Sequence, residues 1–293
     1  MGRTVPTSGN RGALASSDFL RASLAFLLVL VVLLLLAQLS FWLGRGERLF
    51  LVDSSRLESF DLPVWAPPFW KEEAQKALRG GSVFPVSDSQ GLAEVEARIA
   101  ALPFVEKVSP ASRRFPRSIG AKVEMRRPVA LVRTEGKLYA VDAHAVLLPG
   151  KPAEPGGGFA FPLPTLTSQR GVFPQLPSRL GEAWNDPSVR EGVAAALELD
   201  PILDLRPGFR IVEIDLTNLG GLRNRLESEI ALRTDRDVRI LWGRSALSQP
   251  YGELAPEAKI ANLVRVLEEY PGLKGVVELD LRFDRPAVRL AGK

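Results

Sequence analysis

Residues 22–43 read ASLAFLLVLVVLLLLAQLSFWL and carry no charged side chain. A helix over this run reaches about 33 Å, which is enough to cross a hydrocarbon core of about 30 Å. Only a helix satisfies the backbone hydrogen bonds of such a segment within lipid, and Phe41 and Trp42 at one end are typical of the membrane interface. The run therefore predicts one transmembrane helix over residues 22–43.

Two other interpretations fit this apolar run less well. A cleaved signal peptide has an apolar core of about 7–15 residues with small residues before the cut. The run is longer than that, and Phe41-Trp42-Leu43 is a poor cleavage site. A buried core helix of a soluble protein would show a polar face, and this segment has none.

The charges that flank the helix do not fix its orientation. Three arginines lie on each side at similar distances: Arg3, Arg11 and Arg21 before it, and Arg45, Arg48 and Arg56 after it. By the positive-inside rule this is a tie. Residues 1–21 are polar and rich in Gly, Ser and Thr, which predicts a disordered tail. A short tail followed by a long folded part fits a signal anchor whose C-terminal part is exported.

Residue counts exclude several kinds of site. The chain has 293 residues, no cysteine, one histidine and a net charge of +4, so it lacks disulfides, thiolate sites and metal sites built on several histidines. Its charges are interspersed, whereas nucleic-acid binding usually needs a basic stripe. His144 could serve a Ser-His-Asp triad, but it falls in a predicted turn. The strand carboxylates stand outside any motif: Asp215, Glu278, Asp280 and Asp284. We therefore predict no enzymatic activity and no cofactor or metal.

Residues 46–127 change from a helical to an alternating period. A capping box at Ser87 and Gln90 precedes a helix with one apolar face, formed by Leu92, Val95, Ile99 and Leu102. Residues 119–126 then alternate between apolar and charged, as in a half-buried antiparallel strand. With strands at 49–53 and 104–108 and a helix at 71–79, the pattern predicts a small α+β domain.

Residues 128–293 predict a second domain, mainly of strands. A turn at Glu135-Gly136 joins residues 128–133 and 138–141 into a hairpin, and a Pro/Gly-rich loop covers residues 149–164. Asp186 caps a helix from Pro187 that is expected to bury Val189, Val193 and Leu197. Further elements are expected at 209–216, 228–233 and 238–242 as strands, 256–269 as a helix, and 275–283 as the last strand. The fold class is therefore α+β, with a mixed, mainly antiparallel sheet and flanking helices.

A basic cluster lies in residues 107–127, and two interpretations of it remain open. Its members are Lys107, Arg113, Arg114, Arg117, Lys122, Arg126 and Arg127, opposed only by Glu106 and Glu124. It fits the solvated polar face of a sheet. It also fits a basic surface close to anionic lipid or to an acidic partner.

Several stretches, taken in order, resemble the bacterial cell-division protein family FtsQ/DivIB. The most specific are Leu102-Pro-Phe-Val-Glu-Lys-Val108, Arg113-Arg-Phe-Pro116, Val123-Glu-Met-Arg-Arg-Pro-Val-Ala130 and Tyr139-Ala-Val-Asp142. They are similar to the signature that ends the POTRA domain of the family and opens its β domain. Val238–Arg244 and Val277–Phe283 resemble the later motifs L-x-L-G-R and V-D-L-R-Y. The chain departs from the pattern at Ser109-Pro110, at His144, where the family often has glycine, and after Asp53.

The resemblance implies a single-pass protein of the inner (cytoplasmic) membrane. Its tail at 1–21 would be cytoplasmic, and a POTRA-like domain at 46–127 and an FtsQ-type β domain at 128–293 would lie outside the membrane. Its role would be that of a non-enzymatic scaffold in septum formation, with FtsB-like and FtsL-like bitopic proteins and other divisome components as partners. The alternative is a POTRA-containing, membrane-anchored export or envelope-assembly factor, although such proteins usually carry several POTRA repeats or a barrel.

The resemblance also implies a partner-binding site on the last strand, taken as an edge of the sheet. The residues that would bind a partner strand are Val277, Glu278, Leu279, Asp280, Leu281, Arg282 and Phe283. Arg282 matches an arginine of the family that pairs with an acidic partner residue, and Phe283 replaces a tyrosine. An edge strand leaves backbone groups free for a partner strand. Pro286 cannot donate to such a ladder, so pairing is expected to stop there.

Overall fold

The computed structural model describes residues 12–46, 51–53, 62–79, 83–85, 88–114, 118–168, 176–204, 208–248 and 252–292. In the first helix it describes side chains from Ser23 to Phe41. Within these ranges the chain has an apolar N-terminal helix, a unit of short strands and helices, and a large mixed sheet. The predicted α+β class is confirmed.

The first helix, α1, spans Gly12–Gly46. Its segment Ser23–Phe41 is apolar, has no buried side chain, and is long enough to cross a membrane. The helix begins earlier than residue 22, so the prediction of a disordered tail is wrong for residues 12–21. No proline interrupts these residues, and once a helix is nucleated each further residue adds a hydrogen bond. Residues 1–11 lie outside the described part.

The unit after α1 contains two helices and short strand pairs. Its elements are β1 (Leu51–Asp53), α2 (Phe69–Leu78), β2 (Val83–Pro85), α3 (Ser89–Ala100), β3 (Val105–Val108), β4 (Ser112–Arg114), β5 (Ser118–Gly120) and β6 (Val123–Met125). The single strand predicted over residues 119–126 is wrong, because β5 pairs with β4 while β6 pairs with β3. Helix α3 is capped by Asp88, whose carboxylate accepts from the Gln90 backbone N–H at 2.9 Å, whereas the predicted cap, Ser87, lies outside the described residues.

The rest of the chain builds an eight-stranded sheet in the order β14-β13-β12-β11-β10-β9-β7-β8. Its elements are β7 (Pro128–Thr134), β8 (Lys137–Asp142), β9 (Thr165–Thr167), α4 (Pro187–Glu198), α5 (Asp200–Asp204), β10 (Ile211–Asp215), β11 (Ile230–Thr234), β12 (Arg239–Gly243), α6 (Pro256–Glu269), β13 (Val276–Asp280) and β14 (Ala287–Leu290). The predicted hairpin and the helix at 256–269 are confirmed. Strands β9 and β14 were not predicted.

One face of the sheet carries a continuous row of apolar side chains under α4 and α6. The strand registers place its members side by side across all eight strands: Tyr139, Val132, Leu166, Ile214, Leu232, Ile240, Leu279 and Val288. Two parallel neighbouring strands need a crossover connection between them. Helix α4 lies in the crossover from β9 to β10, and α6 lies in the crossover from β12 to β13. Of the three residues expected to be buried on α4, Val189 and Val193 are, but Leu197 is exposed.

Strand β7 separates two hydrophobic cores. Successive strand residues point to opposite faces, so Ala130 and Val132 join the core under the helices while Leu131 joins the core of the N-terminal unit. In that second core the Trp70 ring stacks on Phe104, with centroids 4.8 Å apart. The Trp70 indole N–H also donates to the Pro149 carbonyl at 3.0 Å. The N-terminal unit is therefore packed directly against the β7–β8 end of the sheet.

Trp70→Ala is expected to lower the free energy of unfolding by about 3–5 kcal/mol, the usual cost of truncating a fully buried aromatic residue. The Pro149 carbonyl would also lose its donor. Urea unfolding of the detergent-solubilised chain, followed by circular dichroism, measures the change. Val64→Ala is the control, since Val64 is fully exposed and should shift stability by less than about 0.5 kcal/mol. Equal effects of the two changes would contradict the shared core.

Candidate partner-binding surface

Strand β14 is a free edge of the sheet. It pairs with β13 on one side, and no described strand pairs with its other side. One hydrogen bond shows which backbone groups of β14 face β13. The N–H of Ala291, the residue after the strand, donates to the Gly275 carbonyl at 2.9 Å. Backbone groups of neighbouring strand residues point in opposite directions, so those of Val288 and Leu290 point away from β13.

The prediction that residues 276–283 form the edge is wrong. Strand β13 is parallel to β12 on one side and antiparallel to β14 on the other. After Asp280 the chain turns through residues 281–286 and returns as β14, so Pro286 precedes a strand that continues the sheet. Leu279 and Leu281 are fully buried and offer no surface to a partner. The segment lies one strand inside the edge.

The opposite edge of the sheet, β8, is closed by the chain that follows it. The Leu148 N–H donates to the Ala140 carbonyl, the Leu138 N–H donates to Pro152, and the Asp142 N–H donates to Val146. These bonds use backbone groups on the outer side of β8. The two edges therefore differ, because one is covered by protein and the other is open.

Arg282 is already paired within the chain. Its Nε and Nη2 donate to Asp280 at 2.9 and 2.7 Å, and this bonding raises the pKa of the guanidinium. A third nitrogen, Nη1, lies 3.3 Å from the Leu226 carbonyl oxygen. Its guanidinium carbon lies 5.3 Å from the centroid of the exposed Phe283 ring, and Asn262 donates to the Phe283 carbonyl at 2.9 Å. Arg282 therefore fixes the turn before β14 rather than standing free for a partner.

Charged side chains cross the sheet face opposite α4 and α6. Glu278 lies between two arginines, 3.4 Å from Arg239 and 3.5 Å from Arg289. The register of β13 against β14 jumps at Val277, from Val276 opposite Leu290 to Glu278 opposite Arg289. Bulges and charged side chains are common at sheet edges, where they limit uncontrolled pairing. The edge is therefore short and partly protected.

A buried lysine organises the loops at this end of the sheet. Lys259 is fully buried, and its ammonium donates to the Arg244 carbonyl and the Glu253 carboxylate, each at 2.9 Å. Gly243 has a φ of 94°, and a Cβ there would lie 2.2 Å from a Glu253 oxygen. Only glycine fits this left-handed position beside the ion pair.

A second carboxylate supports the same loops. Glu198 accepts from the Trp242 indole N–H at 2.8 Å and also from the Ala246 backbone N–H. Burial raises the pKa of Glu198, since desolvation disfavours its charged form. Arg244 pairs with Glu229. Together these contacts tie the loop after β12 to α4 and α6.

The geometry around His144 gives no support to a Ser-His-Asp triad. The imidazole is exposed, with Nε2 3.7 Å from a Glu106 oxygen. The carboxylate of Asp142 is occupied elsewhere, because it pairs with Arg126 at 2.7 Å and accepts from the backbone N–H groups of His144 and Val146 at 2.8 Å. His144 lines a groove of about 330 Å³ whose walls include Met125, Phe161 and Phe209.

Some of the remaining carboxylates and some members of the basic cluster make local contacts. Asp215 accepts from the Thr217 N–H at 2.9 Å. In the basic cluster Arg126 pairs with Asp142, and the strand register places Lys107 opposite Glu124, which favours the solvated polar face. Residues 115–117 lie outside the described part, and so do the side chains of Arg113 and Arg114.

No protein-family model matches the chain, and no curated protein matches it either.

Sequence reasoning missed several residues that shape this surface. Strand β14 has four residues, too few for an alternating pattern to stand out. Lys259 carries no motif around it, and neither does Asn218, a buried side chain that bonds to the backbone of residues 223–228 before β11. The one available signal was Lys259 itself, a charged side chain in line with the apolar face of the helix at 256–269. Because Ile260, Leu263 and Val264 lie beside it, this face of the helix was interpreted as an ordinary apolar one.

Lys259→Met is expected to lower the free energy of unfolding by about 3–5 kcal/mol, because it removes the fully buried cation that pairs with the partly buried Glu253 carboxylate and donates to the Arg244 carbonyl. The double change Lys259→Met/Glu253→Gln should recover part of the loss, since a neutral amide needs no counter-charge. Urea unfolding of the detergent-solubilised chain measures both.

The control is Lys151→Met, which removes an exposed ion pair with Glu154 and should cost less than about 1 kcal/mol. A similar loss at both lysines would contradict the structural role of Lys259.

Proposed function

We propose that this chain is a membrane-anchored, non-enzymatic scaffold that binds a bitopic partner by strand addition to β14. The observation that carries the proposal is the unpaired edge of the sheet, in contrast to the closed edge at β8. An open edge of four residues offers backbone donors and acceptors to an extended segment of another chain. The proposal moves the site expected at residues 276–283 to the next strand.

The resemblance to the FtsQ/DivIB family supports a role in septum formation. It rests on the ordered motifs of residues 102–142, 238–244 and 277–283. In this proposal the partners are FtsB-like and FtsL-like division proteins, and residues 46–127 and 128–293 act as POTRA-like and β domains. The chain would recruit these partners and hold them at the division site without catalysing a reaction.

The apolar helix supports a single-pass anchor in the cytoplasmic membrane. Its segment Ser23–Phe41 has the length and composition to cross a bilayer. We propose that the N-terminus is cytoplasmic and that the sheet lies outside the membrane, where bitopic partners expose their extracytoplasmic segments.

Reporter fusions test this orientation. A reporter active only outside the cytoplasm is expected to give signal when joined at residue 293 and none when inserted at residue 10. The reverse pattern would contradict the proposed placement of β14.

Val288→Pro is expected to abolish partner binding while leaving the fold intact. It removes an N–H that points away from β13, and proline is tolerated on the outer side of an edge strand. Co-purification of FtsB-like and FtsL-like proteins with the tagged full chain should fall at least tenfold. Cells that depend on this variant should grow as undivided filaments.

Val288→Ala is the matched control, because it shortens the same half-buried side chain and keeps the N–H. It should retain both capture and division. Normal capture by the proline variant would contradict strand addition to β14. Loss with both variants would assign the effect to the side chain instead.

A further inference from the structure

The apolar segment of α1 contains one polar side chain that its own helix does not satisfy. Between Ser23 and Phe41 the polar residues are Ser23, Gln38 and Ser40. The Ser40 hydroxyl donates to the Leu36 carbonyl one turn back, at 2.7 Å, and Ser23 is likewise engaged. Among the residues that the structure describes, the Gln38 amide has no hydrogen-bond partner. A carboxamide both donates and accepts, so both functions are left open.

Gln38 lies in the hydrocarbon part of the bilayer when this helix spans it. At about 1.5 Å per residue, Gln38 is roughly 8 Å from the middle of the run 22–43. The hydrocarbon core extends about 15 Å on each side of its centre, and a tilt of the helix only brings the residue closer to that centre. Water is absent at this depth, so an amide without a partner is strongly unfavourable there.

The direction of the side chain keeps Gln38 from reaching the nearer membrane interface. Every Cα–Cβ bond of an α-helix tilts toward the N-terminus of the helix, and long side chains follow that direction. Because Gln38 lies on the C-terminal side of the middle of the run, this direction leads into the bilayer, whichever way the chain crosses it. Lysine and arginine near helix ends reach the interface with longer side chains. Gln38 is shorter and directed inward, so it needs a partner inside the membrane.

Gln38 distinguishes one face of an otherwise uniformly apolar helix. The residues at heptad spacing with it, here called together with it the Gln38 face, are Leu24, Leu27, Val31, Leu34 and Phe41. All of these side chains are exposed in the isolated chain. Helices in membranes mostly cross at about 20°, as in a left-handed coiled coil, in which such a row faces the neighbouring helix. A second helix packed on this face would cover the Gln38 amide.

A second copy of this chain meets the requirements of Gln38 without any further polar group. Two copies enter the membrane in the same direction, so their helices are parallel and residue 38 lies at the same depth in each. In a parallel pair with heptad packing, equivalent positions face each other across the two-fold axis. A carboxamide is complementary to itself, since each can donate an N–H to the carbonyl oxygen of the other. A different protein would need a polar group at this depth and on the facing side of its helix.

We propose that the Gln38 face is the contact between two copies of this chain within the membrane, with reciprocal Gln38 hydrogen bonds that fix the register of the two helices. The inference rests on the membrane anchor of the proposed function. It does not depend on strand addition to β14 or on a role in septum formation. A polar residue at one heptad position sets register and the number of helices in coiled coils, and Gln38 has that position here.

Disulfide scanning of the full chain tests the inference, and the sequence, which has no cysteine, suits it. Single cysteines replace Val31 or Leu34 on the Gln38 face, and Val29 or Leu36 on the opposite face, and isolated membranes are oxidised with copper phenanthroline. We expect linked pairs of twice the chain mass at positions 31 and 34, and at least about fivefold less at 29 and 36. Equal yields on both faces, no product at 31 and 34, or a product with another protein there would overturn the proposed pair.

Energy transfer between purified, fluorescently labelled full chains in lipid vesicles measures the contribution of Gln38. Gln38→Leu is expected to weaken pairing about tenfold, whereas Gln38→Asn keeps the amide and should retain most of it. Ser40→Ala is the matched control, because its hydroxyl is bound within its own helix, and pairing should not change. Unchanged pairing of the leucine variant, equal losses with leucine and asparagine, or an equal loss in the control would overturn the role of Gln38.

Extraction of membranes with alkaline carbonate separates failure of this inference from failure of the proposed anchor. The parent and Gln38→Leu chains are both expected to stay in the membrane, because leucine makes the segment more apolar. Release of the parent chain would remove the anchor, and the pairing would fail with it. A chain that stays in the membrane and does not pair overturns this inference alone and leaves the anchor and strand addition in place.

Discussion

Hydrogen bonds between residues 146–152 and the outer side of β8 close one edge of the eight-stranded sheet. The described chain provides no such segment for β14, so the backbone groups of that strand depend on solvent or on another molecule. The two ends of the sheet also differ in how far other parts of the chain cover their faces. At β7 and β8 the N-terminal unit and the helices cover both faces, and Leu131 and Val132 enter separate cores. Towards β14 the described residues cover only the face under α6.

The sequence predicted those helices and strands that are specified by residues close together along the chain. The hairpin at 128–142 carries a turn at Glu135-Gly136 between apolar runs, and the helix at 256–269 repeats its apolar residues at helical spacing and ends at Tyr270-Pro-Gly272. Helix α4 was predicted from its Asp186 cap. Strand β9 was missed because Thr165–Thr167 is too short to alternate, and its place between β7 and β10 comes from pairing with distant residues.

The candidate site could be predicted only in part, for a related reason. A strand pattern in residues 275–283 indicates which side chains are buried, but whether a strand lies at an edge depends on what pairs beside it. Residues Ala287–Leu290 follow Pro286 and pair with β13 beside a bulge at Val277. The spacing of apolar residues in the sequence shows neither the pairing nor the bulge. The resemblance placed the edge of the sheet one strand earlier than the structure does. Asn218 was missed because its five hydrogen bonds go to four residues of a loop without regular spacing.

If the proposed function holds, the pairing of Arg282 with Asp280 affects how fast a partner would reach β14. A guanidinium bound to a carboxylate in the same turn presents a dipole, and the field of a dipole fades with distance faster than that of a free charge. Long-range steering, which accelerates association and weakens with ionic strength, would therefore owe little to Arg282. The backbone hydrogen bonds of a strand added to β14 would then form in a step that salt scarcely affects.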